Sequence, residues 1–76
     1  MSEPFKISSR EQGMAYVFDR ESRDCCGFVL EANGGQWDAM RDGERVGRRG
    51  SRRGAARALW ELWRAGRPMG TVGMGG

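Results

Sequence analysis

Two adjoining stretches decide how the chain folds: Trp37-Asp-Ala-Met-Arg-Asp-Gly-Glu-Arg-Val-Gly-Arg48, and Ser51-Arg-Arg-Gly-Ala-Ala-Arg-Ala-Leu-Trp-Glu-Leu-Trp-Arg-Ala65. In the first, apolar and polar residues alternate, the period of a strand with one buried face. Asp42-Gly43 interrupts it with a pair that tolerates positive φ, a tight-turn signal. In the second, Ala55, Ala58, Leu59 and Leu62 recur at i, i+3, i+4 and i+7, the spacing of one helical face. Ser51 can cap that helix by accepting a backbone N–H. Gly66 suits the position just past its end, and Pro68 forbids continuation. The spacing predicts a helix over Ser51–Ala65.

Upstream, the alternation continues. Met14–Arg20 places Met14, Tyr16 and Phe18 on one face, and Cys26–Ala32 carries Phe28 and Leu30 together. Asn33-Gly34-Gly35 is a hairpin signal before a strand over Gln36–Arg41, and Glu44–Arg48 is a short strand around Val46. Glu21–Asp24 is a charged connection suited to a turn. Residues 1–12 show little pattern, with Phe5 and Ile7 fit for a short edge strand. The expected class is α+β: an antiparallel three- to four-stranded sheet with one C-terminal helix packed on one face. Residues 1–68 form a single domain, and the Gly-rich stretch 69–76 reads as a flexible tail.

The 76 residues allow one domain with a small core, anchored by three Trp, three Phe and one Tyr. No apolar run approaches the ~20 residues that span a bilayer. The first residues lack the basic-then-apolar pattern of a leader, so a cytoplasmic protein without membrane contact is expected. The only cysteines, Cys25 and Cys26, are adjacent, and neighbours on a strand point to opposite faces. One buried and one exposed free thiol are expected rather than a bridge. With no His and no second Cys pair, no zinc site or other cofactor is expected. The missing His and the lack of an activated hydroxyl point away from enzymatic catalysis.

Charge is segregated. Residues 44–67 hold eight Arg against two Glu, a net of +6, while the remainder holds five cations against eight acids, a net of −3. An Arg cluster of this kind is an electrostatic footprint for a polyanion or an acidic protein surface. Measured from a stripe on Leu59 and Leu62, the helical wheel places Trp60 beside Arg53, Arg57 and Arg64 on the outward side. Trp and Arg groupings are what binding hot spots are made of. The candidate partner-binding face is therefore Trp60 with Arg53, Arg57 and Arg64, continued by Arg48, Arg49 and Arg52 at the helix start, where the dipole favours an anion. Gly66-Arg67-Pro68 resembles the centre of an AT-hook, whose turn enters the minor groove, though Ala65 stands where that motif has Arg.

From Gly35 to Leu59 the order Gly-x-Trp-x-Ala-x-Arg-Asp, then Gly-x-Arg-Val, a Gly, a Ser cap and Ala-Ala-x-Ala resembles the AP2-type and integrase arm-type DNA-binding domains. Those are three strands and a helix that read the major groove with the sheet. The resemblance implies that Trp37, Arg41 and Arg45 face nucleic acid. This sequence lacks their first-strand motif, and its Arg excess lies on and before the helix. In build, the chain also resembles small phage proteins of the anti-CRISPR kind: under a hundred residues, hairpins, an Arg-Asp-Gly turn and one helix. That resemblance implies a stoichiometric inhibitor, phage-encoded, docking by protein–protein interaction on a host nucleoprotein such as a CRISPR interference complex. The leading expectation is thus a non-enzymatic inhibitor acting through the Arg/Trp patch. The alternative is a direct DNA- or RNA-binding module.

Overall fold

The computed structural model describes residues 3–66. The expected tail at 69–76, and Arg67 and Pro68 of the hook-like triplet, lie outside the described residues. Five strands, β1 (Phe5–Glu11), β2 (Met14–Asp19), β3 (Cys25–Glu31), β4 (Trp37–Arg41) and β5 (Glu44–Arg49), form one sheet in the order β1-β2-β3-β4-β5. Every neighbouring pair is antiparallel. One helix, α1 (Arg52–Ala65), packs across it. The α+β class and the C-terminal helix are as expected, with one strand more than the three or four foreseen. The extra strand is β1. Its weak pattern has a structural cause: the register shifts between Ser9 and Glu11, and such a bulge breaks the two-residue alternation.

The turns follow residue chemistry. Asp42 (φ 54) and Gly43 (φ 80) both take the positive φ that a tight hairpin of this hand requires. Gly13 (φ 80) closes the β1–β2 hairpin. Asn33–Gly35 makes a short 3-10 turn. Ser51 caps α1 as expected, its Oγ accepting from the Gly54 N–H at 3.0 Å.

The core lies between α1 and one face of the sheet. The strands contribute Phe5, Ala15, Val17, Cys26, Val29 and Ala39; the helix contributes Ala55, Ala56, Leu59, Trp60 and Trp63. Small residues at the centre of the sheet let the helix approach closely. Gly27, at φ 139, is the tightest point: a Cβ there would collide with the Met40 carbonyl and meet the Leu59 methyls at 3.1 and 3.2 Å.

The helix is rolled relative to the expected stripe. Leu62 is 43% exposed, whereas Trp60 is only 8% exposed. The turn is explained by what the sheet offers. Phe5 packs on the Trp60 ring with centroids 6.2 Å apart, and Asp19 Oδ1 accepts from Trp60 Nε1 at 2.8 Å. Two indoles bury more apolar area than one isobutyl group, so a roll that sinks Trp60 and Trp63 and releases Leu62 is favoured. Trp60 is therefore core, not an outward anchor of the proposed patch.

Trp60→Ala should accordingly cost about 3–5 kcal/mol, the usual range for deleting a buried indole. Leu62→Ala should cost less than about 1 kcal/mol, as expected of a half-exposed site. Urea denaturation monitored by circular dichroism separates the two rolls, since a helix centred on Leu62 would reverse the order.

Candidate functional site

Because α1 covers one face of the sheet, the alternation of each strand assigns the other face. On β2, buried Ala15, Val17 and Asp19 point to the helix, so Met14, Tyr16 and Phe18 point away. Register extends the assignment. Ser8 lies opposite Tyr16 and Lys6 opposite Phe18 on β1; Leu30 lies opposite Met14 and Phe28 opposite Tyr16 on β3. Met40 pairs with Phe28 and Asp38 with Leu30 on β4, and Arg45 and Arg48 follow on β5. Among the described residues, no helix or strand covers this face.

Its centre is aromatic. Tyr16 and Phe28 form a cross-strand pair with centroids 6.0 Å apart and planes at 71°, and Tyr16 and Phe18 are 6.4 Å apart. Met14, Leu30 and Met40 extend the apolar area, and all six side chains are half-buried. The rim is mainly cationic. Arg10 lies over the Tyr16 ring at 5.6 Å, Arg45 is exposed, and Lys6 stands beside Phe18. Of the two acids on this face, Glu11 and Asp38, the second is bound by Arg48 through contacts of 2.6 and 3.3 Å. That guanidinium, donating to Asp38, holds its carboxyl below the ordinary carboxylate range, and the carboxylate in turn raises the pKa of Arg48.

Of the residues expected to form the partner-binding face, Arg53, Arg57 and Arg64 stay on one side of α1 with Trp60, while Arg48 leaves them. Arg64 lies over the Trp60 ring at 5.3 Å and Arg57 over Phe5 at 5.8 Å, so both roof the core edge. Arg57 also pairs with Glu61 at 3.7 Å, and Arg53 with Glu3 at 3.4 Å. Arg52 donates to Ser9 Oγ at 3.1 Å. Arg48 turns to the open face with Asp38, while its neighbour Arg49 donates to the Arg48 carbonyl at 2.7 Å. The helix guanidiniums form a charged flank whose aromatic residue, Trp60, is buried.

The AP2-like set is divided as well. Trp37 and Arg41 share the side of buried Ala39, and Trp37 packs against the core cluster. Arg45 pairs with Met40 on the opposite face. Alternation on β4 puts the helix where that resemblance would put the nucleic acid. The aromatic face itself was partly legible, since Met14, Tyr16 and Phe18 share one side of β2, and Phe28 and Leu30 share one side of β3. Only strand pairing joins the two groups.

Among the described residues, Asp19 is the buried carboxylate. Its Oδ2 accepts from the Ser22 N–H at 2.8 Å and its Oδ1 from Trp60. These bonds, the Ser22 backbone bond foremost, hold its pKa below the ordinary 3.8. Cys26 is buried and Cys25 exposed, both as free thiols; burial pushes the Cys26 thiol up to about 12. Among the described residues, no group of three or more His, Cys, Asp or Glu is placed to hold a metal ion. No described helix is long and apolar enough to cross a membrane. No family model matches the chain, and comparison with curated proteins and with solved structures gives no match.

Two outcomes follow from these environments. A carboxyl whose folded pKa lies below its unfolded value stabilises the fold only while ionised. Stability should therefore hold above about pH 5 and fall as pH drops through 3.8 and below. Asp19→Asn should flatten that acid limb in urea titrations, while Asp38 retains its own contribution; an unchanged limb would contradict the assignment. Iodoacetamide near neutral pH should add one label per folded chain, at Cys25, and two in denaturant, read by mass spectrometry. Equal labelling of both thiols in the folded protein would place Cys26 outside the core.

Proposed function

We propose that the chain is a non-enzymatic binding module that takes single-stranded nucleic acid on the open face of its sheet. The observation that carries this reading is the contiguous Tyr16, Phe18 and Phe28 cluster, left uncovered by the helix and rimmed by Lys6, Arg10 and Arg45. Bases stack on aromatic side chains whatever their sequence, and a cationic rim follows the phosphates. Single strands suit this face better than duplex, because paired bases do not offer their faces to rings standing on a sheet. The earlier expectation of a docking patch on α1 loses its exposed anchor with the burial of Trp60. The wider expectation, that the target is a nucleoprotein complex, is compatible with this face wherever such a complex exposes a single strand.

The test is fluorescence anisotropy with a labelled single-stranded oligonucleotide at two salt concentrations. Stacking contributes about 1–3 kcal/mol per base, so Tyr16→Ala and Phe28→Ala should each weaken binding roughly tenfold or more. Affinity should fall steeply with salt through release of counterions. Arg57→Glu, on the helix flank, should change it much less. Failure to bind single strands would defeat the proposal. So would binding that ignores the aromatic substitutions but collapses in the helix variant.

A further inference from the structure

At one end of the open face, where β1 and β2 meet the turn 20–24, a cavity of about 420 Å3 is lined by Lys6, Ser8, Phe18, Asp19, Arg20 and Arg23. Three of these are cations, and among the described residues no carboxylate lies within ion-pair distance of any of them. The fourth charge, Asp19, is already engaged: Trp60 donates to one oxygen and the Ser22 N–H to the other. Arg20 is tethered by its Nε to the Phe5 carbonyl at 3.3 Å, which orients the guanidinium without using its remaining donors. Arg23 is held at φ 67, a conformation that costs a side-chain-bearing residue energy and that Gly adopts freely. Its N–H nevertheless closes the turn on the Asp19 carbonyl at 2.8 Å. Phe18, the last ring of the aromatic row, forms one wall.

Resting on the reading of the open face as a strand-binding platform, we infer that this cavity holds the terminal phosphate monoester of the bound strand. Base and sugar at that end would lie against Phe18. The charge favours an end over an internal linkage. A diester carries one negative charge, whereas a monoester carries about −1.5 to −2 near neutral pH. Three cations against the one Asp19 carboxylate leave a lining of +2, which with the Ser8 hydroxyl matches the larger charge through charge-assisted hydrogen bonds. The shape agrees: the turn 20–24 stands at the end of the row, and the volume falls within the roughly 300–1,000 Å3 of small-ligand sites, enough for a phosphorylated sugar.

The experiment compares internally labelled oligonucleotides of one sequence bearing a 5′-phosphate, a 3′-phosphate, or hydroxyls at both ends. One phosphorylated end should bind about tenfold tighter than the hydroxyl strand, the scale of a charge-assisted contact; the two phosphorylated strands show which end is seated. Arg23→Gly should abolish that preference, bringing the phosphorylated strands to the affinity that the same variant shows for the hydroxyl strand. It removes the guanidinium and relieves the left-handed backbone, so folding is retained, as a thermal melt would verify. Excess inorganic phosphate should erase the preference in the native protein. Equal binding of all three strands would overturn the cavity assignment and leave the platform standing. A preference that survives Arg23→Gly would also overturn it. Failure of every strand to bind would overturn the platform and the cavity together.

Discussion

The arrangement of the whole domain turns on the hydrogen bond between the Trp60 indole and the Asp19 carboxylate. Asp19 ends β2, and its backbone and side chain organise the turn that leads to β3: its carbonyl accepts from Arg23, its N–H donates to the Asp24 carbonyl, and its second carboxylate oxygen caps Ser22. The first oxygen fixes the azimuth of α1 by fixing Trp60. A buried carboxylate without donors would be costly, so the helix cannot roll away from this bond without exposing an unmet charge to the core. Once the roll is set, Leu59 sits over Gly27, Phe5 is covered by Trp60 and Arg57, and Leu62 is released toward solvent.

The other constraint is that the described residues form one helix and five strands. One helix covers one face of a sheet. The second face must be polar, or must be covered by something outside the fold, for a contiguous apolar patch exposed to water is unfavourable and usually marks a binding surface. Here it is neither polar throughout nor covered among the described residues. Its centre is Tyr16 flanked by Phe18 and Phe28, with Met14, Leu30 and Met40, and its margin carries the cations. The helix flank shows the opposite economy: its Arg residues are spent on Glu3, Glu61, Ser9 and the faces of Phe5 and Trp60. An abundance of guanidiniums is thus a poor locator of a site. Which of them are already engaged, and what apolar surface they surround, says more.

Local signals in the sequence were sufficient for most of the secondary structure. The change of period after Arg49, the Ser51 cap, the Asp42-Gly43 turn and the alternation of β2 to β5 all depend on residues within a few positions of one another, so they could be read without knowing the fold. The α+β class follows from them. A bulge and two serines blur the alternation of the seven-residue β1, and its pairing with β2 supplies the missing constraint.

The roll of α1 and the location of the site were decided only by tertiary structure. The helix sequence is compatible with a stripe centred on Leu59 and Leu62 or on Leu59, Trp60 and Trp63. The choice depends on Phe5 and Asp19, which lie 55 and 41 residues away from Trp60 in the chain. The open aromatic face was divided in the same way: each strand carried its own half, and only the register of Tyr16 opposite Phe28 made them one surface. Side-chain period is a local property and can be read from the sequence. The identity of the neighbour across a strand or beneath a helix is a long-range property, set by which arrangement buries the most apolar area while leaving no buried polar group unmatched.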